Sequence, residues 1–174
     1  MTAPTDWNEL TGFALELARA SAAEILPFFR RNTHVEVKEA AVWDPVTEGD
    51  RAGERIIRKM IEARYPDHGI HGEEYGVKEG RSGFTWVLDP VDGTRSFVCG
   101  MPTWATLIGL NYEGKPVVGL MNQPVVGDMF YGSPEGAWHD YRGATQPIRT
   151  RQGIPLSRAS MGTTAPELYR TEKD

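Results

Sequence analysis

The sequence has one cysteine, Cys99, in 174 residues, which excludes an intramolecular disulfide framework and favours a reducing compartment. It has no basic excess: 19 Lys and Arg stand against 24 Asp and Glu, a formal net charge of -5, so the electrostatic footprint of a nucleic-acid-binding protein is missing. No segment approaches the ~20 apolar residues of a membrane span, and the N-terminus lacks a basic region followed by a long apolar run. Repeats and low-complexity tracts are absent. These features predict no nucleic-acid partner, no membrane association and, by default, a cytoplasmic location. What remains, 40% hydrophobic and 25% charged, is enough for one complete domain and the beginning of another.

The organisation is that of an α+β protein. From Asp6 to about Arg31, the residues Leu10, Phe13, Ala14, Leu17, Ala18, Ser21 and Ile25 fall on one helical face, with Pro27 expected to kink the last turns. A second helix is expected from about Glu48 to Arg64, with Ala52, Ile56, Met60 and Ile61 near one face and Tyr65-Pro66-Asp67 as its breaker. Strand patterns follow at Thr85 to Leu88, Thr103 to Tyr112, Pro116 to Asn122, Met129 to Gly132 and Gly136 to His139. Helices ahead of a run of antiparallel strands predict a layered sandwich. After about Ala144 the chain becomes polar and turn-rich.

The chemistry concentrates in three acidic motifs. In Trp86-Val-Leu-Asp89-Pro90-Val91-Asp92-Gly93-Thr94, a strand-like run ends at two carboxylates placed around Pro90, whose fixed φ and missing N–H favour a tight turn. Gly93 lets backbone approach a ligand, and Thr94 to Phe97 can start a short helix facing an anion. Hard oxygen donors beside such a helix start suit Mg²⁺ bridging to a phosphate. Taken alone, the motif is explained equally well as a turn. The second motif, Gly72-Glu73-Glu74 after a short strand, tips that balance, because two strand ends can bring both clusters to one sheet edge. In the third, Thr47 and Asp50 have capping-box spacing, with Asp where Glu or Gln is usual. A capping carboxylate at a helix start can also face a metal.

Thr47-Glu-Gly-Asp50, Gly72-Glu73-Glu74 and Asp89-Pro-Val-Asp92-Gly-Thr94, in this order and spacing, resemble the inositol monophosphatase family of Mg²⁺-dependent, lithium-sensitive phosphomonoesterases. The flanks Glu-Glu-Tyr-Gly and Gly-Thr-Arg-Ser-Phe-Val-Cys-Gly-Met-Pro-Thr-Trp are most similar to the branch that hydrolyses histidinol phosphate in histidine biosynthesis. Myo-inositol, nucleotide and sugar phosphates remain alternative substrates. The resemblance implies an αβαβα sandwich of the inositol monophosphatase and fructose bisphosphatase type, with two or three Mg²⁺ ions and inhibition by Li⁺. It assigns Glu73, Asp89, the Val91 carbonyl and Asp92 as metal ligands, and Gly93 and Thr94 as phosphate holders through their N–H groups. Asp50, with the Thr94 hydroxyl, would orient the attacking water, and Glu73 would share in catalysis. Lys38 aligns with a family lysine near that region, though Val35 to Lys38 reads equally well as an edge strand. The family usually has Ile or Leu at the Val91 position, which matters little for a carbonyl ligand.

The resemblance also implies a longer chain, whose C-terminal part carries a Trp-Asp-x-Ala motif completing a metal site and most substrate-selecting residues. This sequence reaches Asp174 without it and is expected to cover roughly the first two-thirds of the family's fold. Residues 1–145 would form the N-terminal metal-phosphate domain, and 146–174 the crossover into a truncated second domain, exposing apolar surface. Dimers are the assembly usual in the family. A catalytically incomplete, metal-binding fragment that needs a complementing piece is the rival reading.

Other residues have plainer readings. Cys99 lacks a paired base and reads as a small, half-buried turn residue. His68, His71 and His139 lack metal-ligand spacing and read as packed or solvated. Arg95 suits a phosphate or carboxylate, or equally a surface position. Trp86, Trp104, Phe130 and Trp138 are expected to pack in the core from strands.

Overall fold

The computed structural model describes residues 6–31, 35–37, 45–160 and 162; Lys38 and Asp44 lie outside them. Asp6 starts helix α1 (Trp7–Ile25) by accepting from the backbone N–H groups of Asn8 and Glu9, two donors that a helix start would otherwise leave unpaired. A 3₁₀ turn over Leu26–Phe28 then contains Pro27, so the expected kink takes the form of a tightened final turn. Strands β1 (Val35–Val37) and β2 (Pro45–Thr47) pair antiparallel as a separate ribbon. Thr47 caps helix α2 (Glu48–Arg64) through a complete capping box with Asp50. Replacing Thr47 with Ala is expected to cost about 1–2 kcal/mol, seen as a lower denaturation midpoint with an unchanged m-value.

The remaining strands build one eight-stranded sheet. They are β3 (Gly69–Gly72), β4 (Gly76–Lys78), β5 (Phe84–Asp92), β6 (Ala105–Tyr112), β7 (Lys115–Gln123), β8 (Asp128–Ser133), β9 (Gly136–Tyr141) and β10 (Ala144–Pro147). Their order is β10-β9-β8-β7-β6-β5-β3-β4, and only the β3/β5 pairing is parallel. The short helix α3 (Thr94–Val98) connects β5 to β6. β10 falls where the sequence suggested only turns. All four of its residues are exposed, so the periodic burial that signals a strand is missing there.

Helices α1 and α2 cover one sheet face. The core between them joins Phe13, Leu17, Ile57 and Ile61 to Trp86, Leu88, Ile108, Leu110 and Leu120, with Phe13 edge-to-face on Trp86 at 5.7 Å. Every residue of the expected α1 stripe is buried. On α2 the stripe is rotated in part: Ala52 and Ile61 are buried as expected, with Gly53, Glu54 and Ile57 buried beside them, whereas Ile56 and Met60 are only partly so. The rotation follows from the buried carboxylate of Glu54, a residue type that an amphipathic reading places in solvent. A smaller cluster of Ile25, Val91, Phe97 and Trp104 lies where β5 meets α3.

Trp86 and Trp104 are buried as expected, though Trp104 precedes β6. Phe130 and Trp138 are half-buried and stack instead on His139 and Tyr131. On the sheet face away from the helices, Val87, Gly109, Gly119, Gly132 and Ala137 align in register across five adjacent strands. The segment after β10 exposes Ile154 and Leu156, the latter 90% accessible.

Candidate metal-phosphate site

Parallel pairing of β3 with β5 sets Gly72 opposite Leu88, so both strands point their C-terminal ends the same way. The Glu73 N–H then donates to the Leu88 carbonyl at 3.2 Å, which places Glu73 beside Asp89. The strand does not stop at Pro90, as the turn reading expected. β5 continues to Asp92 through a register shift, with Asp89 opposite Leu107 and Asp92 opposite Ala105. Proline lacks the N–H a regular ladder would need, and a bulge tolerates that loss. The Pro90 carbonyl is still satisfied, accepting from the Thr106 hydroxyl at 2.8 Å.

The chain then turns at Gly93, whose φ is 87°. A Cβ there would sit 3.2 Å from the Thr103 carbonyl oxygen, so glycine is needed both for the left-handed backbone and for room. Thr94 follows as the first residue of α3. Its hydroxyl lies 3.0 Å from the Val91 carbonyl oxygen and 3.3 Å from Asp50 Oδ1. Asp50 is buried, and its other oxygen, Oδ2, accepts from both the backbone N–H and the hydroxyl of Thr47. Burial raises the Asp50 pKa, while the Thr47 hydrogen bonds oppose the rise.

Glu73, Asp89 and Asp92 therefore come together with Asp50 around the C-terminal end of β5. Glu73 and Asp92 are exposed, and Asp89 is partly buried. Desolvation, and then the neighbouring charge of Glu73, push the Asp89 carboxyl up to about 8, with Asp92 and Asp50 adding to the effect. Asp89 Oδ1 is buried with no hydrogen-bond partner. A buried acceptor without a hydrogen-bond partner, set beside three further carboxylates, suits a bound cation. Among the described residues, no three His, Cys, Asp or Glu side chains form a ready-made metal cage. Mg²⁺ does not require one, since it is usually held by one or two carboxylates and completes its shell with water and phosphate oxygens. The donor set, carboxylates together with the Val91 carbonyl, fits a hard cation.

Of the sequence-predicted residues, Asp50, Glu73, Asp89, Val91, Asp92, Gly93 and Thr94 are all brought together here. Arg95 follows on α3 with an exposed side chain. Cys99 is exposed where a half-buried position was expected. The histidines are not part of the site. His68 is packed between Tyr65 and Phe84, accepts from the Trp86 indole at 3.1 Å, and has its pKa lowered by burial and then by Lys78. His71 is exposed, and His139 pairs with Asp128 at 2.6 Å.

Glu54 was missed by sequence reasoning. Fully buried on α2, it accepts from the Glu74 N–H at 2.7 Å and the Tyr75 N–H at 3.2 Å, immediately after Glu73. Its i, i+4 partner Arg58 donates to it at 2.7 Å. The Asp50-Glu54-Arg58 spacing was the available signal, since it puts all three on one helix face.

With this geometry established, known proteins give an independent comparison. The inositol monophosphatase family model matches residues 6–172. The bifunctional phosphatase IMPL2 of Arabidopsis thaliana, a chloroplastic protein, is 36% identical over 172 residues, covering 98% of this chain and 48% of that protein. The histidinol-phosphatase of Chlorobaculum parvum is 39% identical over 117 residues, covering 67% of this chain and 45% of that protein. Among solved structures, an inositol monophosphatase from Zymomonas mobilis superposes with a TM-score of 0.69 at 32% identity, covering 86% of this chain and 56% of that one. The chain thus spans about half the length of the relatives it matches, less than the two-thirds the motifs suggested. Its mixed sheet and covering helices are the corresponding part of their α+β fold. By motif, fold and family match, the chain belongs to the inositol monophosphatase family.

Proposed function

We propose that this chain carries the metal-phosphate half of a Mg²⁺-dependent phosphomonoesterase acting on a small phosphate ester. The observation that carries the reading is Asp89, whose buried, unpartnered oxygen and raised pKa mark a place built for a cation. Glu73, Asp89, Asp92 and the Val91 carbonyl would hold two or three Mg²⁺ ions, with Li⁺ inhibitory. When bound, Mg²⁺ supplies Lewis-acid polarisation of the phosphoryl group and neutralises developing negative charge.

The chain's own residues do the rest. Asp50 has one oxygen committed to Thr47 and the other facing the Thr94 hydroxyl. A Thr94 hydroxyl that donates to Asp50 keeps its lone pairs for a water proton, so the pair orients the nucleophile, with Glu73 alongside as base. Backbone N–H groups of Gly93 and Thr94 would hold the phosphate, and Arg95 would add a cation for the substrate. No covalent enzyme intermediate is needed, because positioning and charge stabilisation account for phosphoryl transfer.

We assign histidinol phosphate as the substrate, which would put the protein in histidine biosynthesis. The histidinol-phosphatase relative and the extended flanks of the second and third motifs support this reading. Inositol, nucleotide or sugar phosphates are the alternatives. We read 146–174 as the crossover into a second domain, with β10 straddling that boundary, a homodimer as the assembly, and a reducing, cytoplasmic setting that suits the exposed Cys99. Because the chain spans half the length of its relatives, a metal-binding fragment that needs a complementing piece is the second reading.

Phosphate release from histidinol phosphate and myo-inositol 1-phosphate, with and without Mg²⁺, tests both. The first reading expects Mg²⁺-dependent release favouring histidinol phosphate. The second expects Mg²⁺ binding without turnover. Asp92→Asn is expected to lower turnover by ~100-fold or more and weaken Mg²⁺ binding with the fold intact. An active, Mg²⁺-dependent variant sinks the assignment.

A further inference from the structure

We infer that Glu54 is a positioning residue for the metal site. It fixes the two peptides that flank Glu74, Glu73–Glu74 and Glu74–Tyr75, and so holds Glu73 in register with Asp50 and Asp89. The inference rests on the proposed metal-binding role of Glu73. Glu73 is tied to β5 by its own N–H, on the Leu88 carbonyl. The next two N–H groups, of Glu74 and Tyr75, end on the Glu54 carboxylate. The ligand-bearing turn is therefore clamped on one side to the strand that carries Asp89 and Asp92, and on the other to the helix that carries Asp50.

Several contacts make this clamp stiff. Arg58 donates to Glu54 at 2.7 Å and also to the Gly76 carbonyl, at the far end of the same turn. Arg55 donates to the Tyr75 hydroxyl at 3.1 Å and pairs with Glu48. A Cβ on Gly72 would sit 1.8 Å from Glu54 Oε1, so strand and carboxylate meet with no slack. A buried ion pair of this kind contributes little net stability, since desolvation offsets the attraction. Its chemical use here is geometric. A carboxylate at this position satisfies two adjacent backbone donors at once and fixes where the preceding side chain emerges. Groups that orient metal ligands typically change affinity by about 10- to 100-fold when removed.

The test uses the 174-residue chain and three proteins: the parent, Glu54→Gln, and Glu73→Gln as the direct ligand control. Mg²⁺ and Mn²⁺ affinities are measured by calorimetry alongside amide exchange at Glu74 and Tyr75. Glu54→Gln is expected to lose at least tenfold in metal affinity, together with amide protection at these two positions. Unchanged affinity in a folded Glu54→Gln, against weakened binding in Glu73→Gln, would overturn the positioning role while leaving the metal site standing. A parent that binds no divalent cation would overturn both.

A second measurement needs no variant. If freeing the Glu74 and Tyr75 amides requires breaking the metal site, saturating Mg²⁺ must slow their exchange in the parent by the factor that binding adds to the closed state. Exchange rates at these amides that ignore Mg²⁺, while the cation binds, would also overturn the inference.

Discussion

Raising the pH through the range below about 8 is expected to destabilise the metal-free protein and, over the same range, to strengthen its Mg²⁺ binding. The sign comes from Asp89, whose ordinary value of 3.8 is raised to about 8 in the folded protein by desolvation and by Glu73. Between these values the folded state holds a proton that the unfolded state has released. Folded-state proton binding therefore stabilises fully below the unfolded value and is lost as pH rises through the folded one. Because the cluster is partly open to solvent, which screens these charges, the stability lost is expected to be on the order of 2 kcal/mol.

A cation must displace the same proton, so the metal-induced rise in melting temperature should be small near pH ~5 and largest above ~8. Asp89→Asn should flatten the metal-free profile and abolish the Mg²⁺-induced shift. Melting curves at three pH values, with and without Mg²⁺, check this. A parent whose Mg²⁺ effect is independent of pH would show that Asp89 does not control the site.

Gly72→Ala should be among the most destabilising single methyl additions in the protein. The added carbon would lie 1.8 Å from Glu54 Oε1 and 2.7 Å from Arg58 Nη2. Neither group can retreat without breaking a buried ion pair or freeing the Glu74 and Tyr75 N–H groups. Overpacking and a disrupted buried pair together cost about 3 kcal/mol or more, which for a chain of this size lowers the melting temperature by roughly 6–12 °C. In a Glu54→Ala background much of the clash disappears, so the two substitutions should be strongly non-additive. A Gly72→Ala protein melting within a degree of the parent would mean that the turn is looser than its hydrogen bonds imply.

The site was more legible in the sequence than the framework that holds it. Asp50, Glu73, Asp89 and Asp92 stand out because carboxylates at strand ends and helix starts leave a local pattern. Thr47 and Asp50 form the expected capping box for the same reason. Glu54 leaves only its i, i+4 spacing to Asp50 and Arg58, because the backbone N–H groups it holds are twenty residues away and only the fold brings them near. Pro90 misled in a different way. Its missing N–H suggests a turn, yet β6 supplies the Thr106 hydroxyl that lets the strand pass through as a bulge. The α1 stripe was readable because all its buried residues are small or apolar, whereas α2 buries a charge and so shifts the apparent face.

The parallel pairing of β3 with β5 also bears on how the site forms during folding. Every residue assigned to it lies between Thr47 and Arg95, so its contacts close loops no longer than the 44 residues from Asp50 to Thr94. Loop-closure entropy rises only slowly with length but precedes any reward from contact, and low contact order favours rapid formation. Closing the carboxylate cluster requires α2, β3 and β5 but not the β8–β10 meander, so the site can assemble before the outer sheet is complete. In a refolding experiment, divalent-cation binding should then develop ahead of the slowest change in Trp138 fluorescence, the tryptophan carried by β9.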